Sequence, residues 1–328
     1  MAYFCIHLFP HMTPIVSVIM AAYNAEKYIA ESIGSIINQT LENHELLVIN
    51  DGSTDGTQQI VEDFCKKDFR IRLINNPENR FVIESRNIGI RNARGKYIAI
   101  LDSDDLSLPD RLEKQVNYLE NNPETFLVGS SAMIIDGEDR YLKDYVATIG
   151  YEKIKNGIAK DNLVYHSTAM FRNEQVFYRE KMFFCEDYDL MLQLIADNKI
   201  IDNLPEKLVK YRSTEKSLSK RNDRLIQWLF LNKAREFYKE KILLGKDSYD
   251  SFDPDRFMKI NDMDYPIDEK DLGFALKICF YRSDMKMVRF LLKKYKKNYP
   301  VSKTYLFYSV ISTHKFLFTL FQKFYSKL

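Results

Sequence analysis

Short runs of apolar, often β-branched residues alternate along the first half of the chain with segments whose apolar residues recur at helical spacing. Each apolar run suits one buried strand, and each periodic segment suits one helix. The predicted strands are 15–20, 45–50, 71–74, 96–101 and 126–134, and the predicted helices are 25–38, 57–66, 84–93 and 109–120. Strands that alternate with helices through short loops predict a doubly wound, mostly parallel α/β sheet.

The rest of the chain has a different pattern, in which long segments predict helices over 224–242 and 272–295. The start of the chain is mildly apolar and lacks the basic residues that begin a signal peptide. We therefore predict three parts: an N-terminal extension (1–13), an α/β domain (14–222) and a C-terminal helical region (223–328).

Composition and charge limit the possible functions. The 328 residues are 45% hydrophobic and 29% charged, which is typical of a globular protein. The net charge of +2 gives no strong global field, so we do not expect a nucleic-acid partner. The four cysteines match no metal or redox spacing and are expected to be reduced thiols in the cytoplasm. They are Cys5, Cys65, Cys185 and Cys279.

A basic segment near the end of the chain precedes an aromatic stretch over 305–325. No apolar run reaches the roughly 18 residues that span a bilayer. Two interpretations stay open: ordinary helical packing with a solvated lysine face, or peripheral contact with the cytoplasmic face of the inner membrane. The basic residues are Arg289, Lys293, Lys294, Lys296 and Lys297.

Two acidic segments come directly after predicted strands. Asp51 follows the second strand, and Asp102-Ser103-Asp104-Asp105 follows the fourth. The carboxyl ends of parallel strands form one edge of a sheet, and ligands bind at that edge. The sequence therefore places the candidate chemistry there.

The segment 102–105 carries three carboxylates, which repel one another unless a cation or hydrogen-bond donors lie among them. In an extended chain, Asp102 and Asp104 point to the same side. Mg²⁺ or Mn²⁺ binds such oxygens and keeps positions for substrate phosphates. The alternative is a solvated acidic loop before the helix that begins near Pro109. An EF-hand is excluded, because Leu106 occupies a position that needs an oxygen ligand.

Two other charged segments fit either structural or chemical roles. Arg86, at the start of a predicted helix, could contact a phosphate or pair with a strand-end carboxylate. The acidic residues of 186–189 precede an apolar helix, where they either offset the helix dipole or supply a general base. No G-x-G-x-x-G follows a strand, and 89–96 lacks P-loop spacing, so dinucleotide and P-loop sites are excluded.

Five motifs in this order resemble the family 2 glycosyltransferases, which are inverting enzymes of GT-A fold. The motifs are 16–24, 50–57, 86–89, 101–105 and 186–189. The resemblance covers about residues 14–220. It implies a Rossmann-like mixed, mostly parallel sheet with a C-terminal helical extension. It also implies a metal-dependent hexosyltransferase that uses Mg²⁺ or Mn²⁺ and takes its sugar from a UDP-sugar.

The resemblance assigns roles to individual positions. The nucleotide-sugar would be held by Ala22, Tyr23, Asp51, Arg86, Asp102 and Ser103, with Asp51 on the uracil ring. Asp102 and Asp104 would form the DxD pair, with Asp104 the foremost metal ligand and Asp105 adjacent. Asp187 would be the general base.

Two further stretches, 165–172 and 208–212, are similar to bacterial lipooligosaccharide enzymes that add N-acetylglucosamine or N-acetylgalactosamine in β-1,3 linkage. Capsule and O-antigen transferases share these stretches, so a glycan or lipid-linked acceptor is expected. His166 either meets the diphosphate or metal, or is a buried polar residue. Ala21 and Asn50 depart from the family pattern, but Asp51 keeps the binding position.

Two other functions stay open. A nucleotidyltransferase of sugar phosphates would need a basic, glycine-rich loop after the first strand, and 21–24 provides none. A membrane- or partner-docking homologue without activity is disfavoured by the intact acidic positions. The Q-x-x-R-W motif of processive synthases is absent, so we expect single sugar additions.

Overall fold

A computed structural model describes residues 13–214 and 224–313. Contacts divide the chain into two compact units. Of the described residues, the first unit contains 13–180 and 186–214, and the second contains 181–185 and 224–313. The predicted boundary near residue 222 and almost all of the predicted N-terminal extension lie outside the described residues.

In the described part of the first unit, nine strands form one sheet. The predicted strands all appear within two residues of their expected ends. Four of the five are runs that the fold buries almost throughout, on both faces. The fifth, over 71–75, is buried only at Ile71. The strands are β1 Val16–Ala22, β2 His44–Asn50, β3 Ile71–Asn75, β4 Tyr97–Ile100, β5 Leu106–Ser107, β6 Thr125–Ile135, β7 Tyr141–Tyr145, β8 Met170–Arg172 and β9 Ile200–Arg212.

The strand order across the sheet is β3-β2-β1-β4-β8-β6-β9-β5. Strands β3, β2, β1 and β4 are parallel, and so are β6 and β9. Strand β8 is antiparallel to both of its neighbours, and β5 is antiparallel to β9. The C-terminal half of β6 also pairs with β7. The predicted mixed, mostly parallel α/β architecture is therefore confirmed.

Over the described residues of the first unit, six α-helices connect these strands. They pack on the sheet, with α3 against β1 and β2, α4 against β6, and α6 against β9. The helices are α1 Ile29–Ile37, α2 Thr57–Cys65, α3 Phe81–Asn92, α4 Arg111–Asn121, α5 Tyr151–Gly157 and α6 Glu186–Ala196.

The predicted start of the first helix is wrong. The helix begins at Ile29 and not at Ala25. Asn24 adopts a positive φ of 49°, and its side-chain oxygen accepts the Thr54 N–H at 2.8 Å. The side chain is therefore used to join the loops that follow β1 and β2.

The second unit is helical over its described residues, as predicted. The prediction of a single helix over 272–295 is wrong. Ser283, with a φ of 61°, breaks it, and Asp284 caps the following helix by accepting the Met287 N–H at 3.0 Å. The helices are α7 Arg224–Leu244, α8 Asp255–Met258, α9 Glu269–Tyr281, α10 Met285–Asn298 and α11 Lys303–Thr313. Across 13–214 and 224–313, no helix combines the length and the apolar character that a membrane crossing requires.

Gly89 marks a close approach of α3 to the sheet. A Cβ atom there would lie 2.5 Å from Ile19 Cγ2 and 3.0 Å from Ile49 Cδ1. Ile19 belongs to β1 and Ile49 to β2, so the missing side chain lets α3 settle on both strands. This contact fixes the position of Arg86, one turn earlier in α3.

We predict opposite effects for the same substitution in two helices. Gly89→Ala overpacks the contact with Ile19 and should lower the free energy of unfolding by about 1–3 kcal/mol. Gly34→Ala, in α1, meets no atom within 4 Å and should raise it by about 0.5–1 kcal/mol. Urea denaturation measures both values. Equal effects of the two substitutions would contradict the close approach.

Candidate active site

Asp51 lies at the shared carboxyl edge of β1 and β2. Ala22 and Asn50 are register partners at the ends of these strands, and the Asp51 N–H donates to the Ala22 carbonyl at 2.8 Å. The buried Asp51 carboxylate accepts hydrogen bonds at Oδ1 from Asn76 Nδ2 (2.8 Å) and the Arg80 N–H (2.9 Å). Tyr23, next to Ala22, is half exposed.

Asn50, which departs from the family pattern, supports the same loop. Its Nδ2 donates to Asn75 Oδ1 at 2.8 Å, and its Oδ1 accepts the Ser53 N–H at 3.2 Å. The amide can donate and accept at once, which a carboxylate cannot. The substitution therefore leaves Asp51 in place.

The acidic segment 102–105 forms a tight turn directly after β4. The Asp105 N–H donates to the Asp102 carbonyl at 3.0 Å, and Ser32 Oγ of α1 donates to the Ser103 carbonyl at 2.9 Å. Arg212, at the end of β9, holds the other end of the turn. Its N–H donates to Asp105 Oδ1, and its Nε donates to the Asp104 carbonyl, both at 2.8 Å.

The three carboxylates of this turn have different surroundings. Asp104 is partly exposed and enters no ion pair among the described residues, and burial together with the charge of Asp102 raises its pKa to about 6. Asp105 is fully buried, and burial with its two acidic neighbours raises its pKa well above the ordinary range. Within the part of the chain that the structure describes, its Oδ2 accepts no hydrogen bond.

These surroundings suit a divalent cation that takes some of its ligands from a bound substrate. Raised carboxyl pKa values mean that negative charge is undercompensated here, and a cation among the oxygens would relieve it. The described residues contain no group of three or more His, Cys, Asp or Glu side chains already arranged around a metal position. The turn therefore suits one or two protein ligands, with substrate oxygens completing the shell.

Arg86 joins this turn to the start of α6. Its buried guanidinium donates from Nη2 to Asp102 Oδ1 at 2.7 Å and from Nη1 to Glu186 Oε1 at 2.6 Å. Burial disfavours the charged forms of these groups, but the attraction between the guanidinium and the carboxylates outweighs this effect. The pKa of Arg86 is raised and that of Asp102 is lowered. Of the two roles open for Arg86, pairing with a strand-end carboxylate is present.

The acids at the start of α6 divide into paired and unpaired groups. Glu186 is held by Arg86, and Asp189 by Arg179, whose Nε donates to Asp189 Oδ2 at 2.8 Å. Asp187 instead accepts a hydrogen bond from the neutral Asn162 Nδ2 at 3.0 Å. Burial and the charge of Glu186 raise the pKa of Asp187 to about 7. A carboxylate with this pKa can exchange protons near neutral pH.

His166 lies in a short 3₁₀ turn, His166–Thr168, beside the Arg86 bridge. Its Nε2 shares a 2.8 Å hydrogen bond with the Tyr178 hydroxyl. Burial, and next the charge of Arg86, lower the pKa of His166 to about 3, so its ring is neutral at physiological pH. This is the buried polar arrangement that the sequence left open.

The structure therefore assembles each of two predicted sets of site residues in the first unit. One set comprises Ala22, Tyr23 and Asp51, and the other links Arg86, Asp102 and the start of α6. The contributions of Glu186, Asn162 and Arg212 were not predicted. Each acts on a partner about 25 to 110 residues away, and no local pattern marks such a contact.

Comparison with known proteins gives matches over the same region. The family model described as glycosyl transferase family 2 matches residues 17–183. An uncharacterized glycosyltransferase of Methanocaldococcus jannaschii is 39% identical over 205 residues, which cover 61% of this chain and 71% of the relative.

A second relative has a more specific name. The Escherichia coli protein WfgD is named a UDP-Glc:α-D-GlcNAc-diphosphoundecaprenol β-1,3-glucosyltransferase. It is 35% identical over 210 residues, or 62% of this chain and 79% of WfgD.

Among solved structures, residues 1–349 of Staphylococcus aureus TarS in complex with UDP-GlcNAc match with a TM-score of 0.55 and 19% identity. The match covers 86% of this chain and 87% of that one. At this identity the likeness concerns the fold.

We predict that Arg86 is a major determinant of stability. Arg86→Gln leaves Asp102 and Glu186 without their shared cation and should lower the free energy of unfolding by about 3 kcal/mol. The matched control is Arg91→Gln, also on α3, whose partly exposed ion pair with Glu84 should be worth less than about 0.5 kcal/mol. Chemical denaturation compares them, and similar losses would argue against the bridge.

Proposed function

We propose that this chain, which belongs to glycosyl transferase family 2, transfers a sugar from a UDP-sugar to a glycan acceptor by a metal-dependent, inverting reaction. One observation carries the proposal. The Arg86 guanidinium connects the acidic turn that would hold the donor diphosphate with the helix start that carries Asp187. Residues that would bind the donor and a carboxylate with a pKa of about 7 thus belong to one connected cluster.

The nucleotide is proposed to bind along Ala22, Tyr23 and Asp51. Among the described residues, both hydrogen bonds to the Asp51 carboxylate are accepted by Oδ1. Its Oδ2 is left for the N–H of a uracil ring, and the half-exposed Tyr23 offers a ring face to the base. These groups would set the position of the donor without taking part in bond breaking.

A Mg²⁺ or Mn²⁺ ion is proposed at the turn, with Asp104 foremost, Asp102 and Asp105 beside it, and Ser103 facing the donor. The partly exposed, unpaired Asp104 carboxylate supports this assignment. When bound, the ion would neutralise charge that develops on the departing diphosphate. The chain's own part is to hold the turn rigid, which Arg212 and Ser32 do through hydrogen bonds to its backbone and to Asp105.

Asp187 is the proposed general base. Its carboxylate takes the proton from an acceptor hydroxyl while that oxygen attacks C1 of the sugar. The bond between C1 and the phosphate oxygen breaks with its electron pair leaving on UDP, so the configuration at C1 inverts. Asn162 would orient the carboxylate through its 3.0 Å hydrogen bond.

The proposed donor sugar is N-acetylglucosamine or N-acetylgalactosamine. The TarS complex contains UDP-GlcNAc, whereas the name of WfgD specifies UDP-glucose and a lipid-diphosphate acceptor. The name of another relative, TuaG of Bacillus subtilis, places it in teichuronic acid biosynthesis. We therefore propose an acceptor in cell-surface glycan synthesis, covering lipooligosaccharide, capsule and O-antigen. Screening UDP-sugars for UDP release would distinguish the donors.

We predict that Asp104→Ala lowers metal-dependent UDP release by about 10²–10³-fold, because charge on the leaving diphosphate loses its neutralising ligand set. The control is Asp110→Ala, on a nearby exposed ion pair with Lys114, which should retain activity. Release is measured with Mn²⁺ and after chelation. A wild-type rate that survives chelation would overturn the metal assignment. Pyrophosphate as the product would favour a nucleotidyltransferase instead.

We predict that Asp187→Asn keeps UDP affinity and lowers transfer by about 10²–10⁴-fold. In the wild type, the transfer rate should rise as pH increases through about 7, because only the ionised Asp187 accepts a proton. Asn162→Ala should shift this rise to higher pH, since the lost hydrogen bond stabilises the ionised form. A pH–rate profile unchanged by Asn162→Ala, or near-normal turnover of Asp187→Asn, would exclude this role.

A further inference from the structure

Positive charge is concentrated at the end of the chain. The 44 residues after Asp284 contain ten Lys or Arg and no Asp or Glu. Because the whole chain carries only +2, residues 1–284 carry a net charge of −8. Such asymmetry is typical of a segment that meets an anionic surface.

Helix α10 presents much of this charge on one face. Four exposed cations, spaced three or four residues apart, span a stripe roughly 80° wide at 3.6 residues per turn. None of the four forms an ion pair with another described residue. We call them the basic face: Lys286, Arg289, Lys293 and Lys296.

The opposite face of α10 is buried and explains why the helix is fixed in this orientation. Val288, Leu291 and Tyr295 pack inside the second unit. Lys294, which the sequence grouped with the basic residues, is also buried, and its Nζ donates to the Ile260 carbonyl at 3.3 Å. It is therefore not part of the basic face, and Lys297 is paired with Asp264.

Exposed apolar side chains follow α10, in the short loop after it and on the next helix. The rings of Tyr295 and Tyr305 lie 5.7 Å apart and join α10 to α11. The exposed apolar residues here are between 41% and 57% accessible, and they are Val301, Leu306, Phe307 and Val310. The phosphodiester backbone of a nucleic acid would bind the cations but has no apolar surface for these side chains. A bilayer binds cations at its headgroups and apolar groups at its acyl boundary.

We propose that the basic face of α10 docks this enzyme on an anionic phospholipid surface. The inference extends the proposed function, because a lipid-linked acceptor lies at such a surface. Docking itself does not require turnover, so the two can fail separately.

The test is flotation of the full chain with phosphatidylcholine vesicles, with and without phosphatidylglycerol. The variant carries Lys286→Gln, Arg289→Gln, Lys293→Gln and Lys296→Gln. A control variant with equal charge change carries four exposed lysines replaced elsewhere: Lys143→Gln, Lys153→Gln, Lys239→Gln and Lys246→Gln. Melting temperatures verify that both variants fold.

Wild type and control should float with phosphatidylglycerol vesicles and lose binding as salt increases, whereas the basic-face variant should bind more than tenfold less. Equal binding of the two variants, or equal binding to vesicles of phosphatidylcholine alone, would overturn the proposal. So would tighter binding to a single-stranded RNA than to the anionic vesicles, which would mark a nucleic-acid surface. UDP release from both variants without vesicles should match that of the wild type. If none of the three proteins released UDP, the result would count against the proposed function and not against docking.

Discussion

The arrangement of the site depends on one buried guanidinium shared by two carboxylates. Without Arg86, Asp102 at the end of β4 and Glu186 at the start of α6 would face each other as uncompensated negative charges. The bridge is possible because α3 lies directly on β1 and β2, where Gly89 removes the side chain that would hold the helix away. A packing feature in the core thus determines an electrostatic feature at the edge of the sheet.

Pairing with Arg86 or Arg179 divides the acidic groups into those with a cationic partner and those without. Asp102, Glu186 and Asp189 have arginine partners. Asp104 and Asp187 have none among the described residues, and the pKa values of both are raised by burial and an acidic neighbour. The first is suited to bind a cation, and the second to accept a proton. Separate roles for similar side chains therefore follow from which carboxylates the arginines neutralise.

Much of the fold could be predicted because it depends on local pattern. Apolar runs marked five strands, and five ordered motifs indicated the family, which the family match confirms. The break between α9 and α10 was missed, since it rests on the positive φ of Ser283 and the cap at Asp284 and not on a change in periodicity. The burial of Lys294 was missed for a similar reason, because its carbonyl partners lie more than 30 residues earlier.

The roles of the site residues could be predicted only in part. Sequence position placed Asp51 and the segment 102–105 at strand ends, where the structure has them. It could not show that Glu186, next to the proposed base, is held by Arg86, 100 positions earlier, or that Arg212 supports the acidic turn. The proposed metal site and the proposed base rest on this geometry.

Arg86 couples the acidic turn to the start of α6. A double-mutant cycle measures this coupling, with urea denaturation of wild type, Arg86→Gln, Glu186→Gln and the double variant. We expect the two losses of unfolding free energy to be non-additive, with an interaction energy of at least about 1 kcal/mol. Additivity within about 0.3 kcal/mol would contradict it.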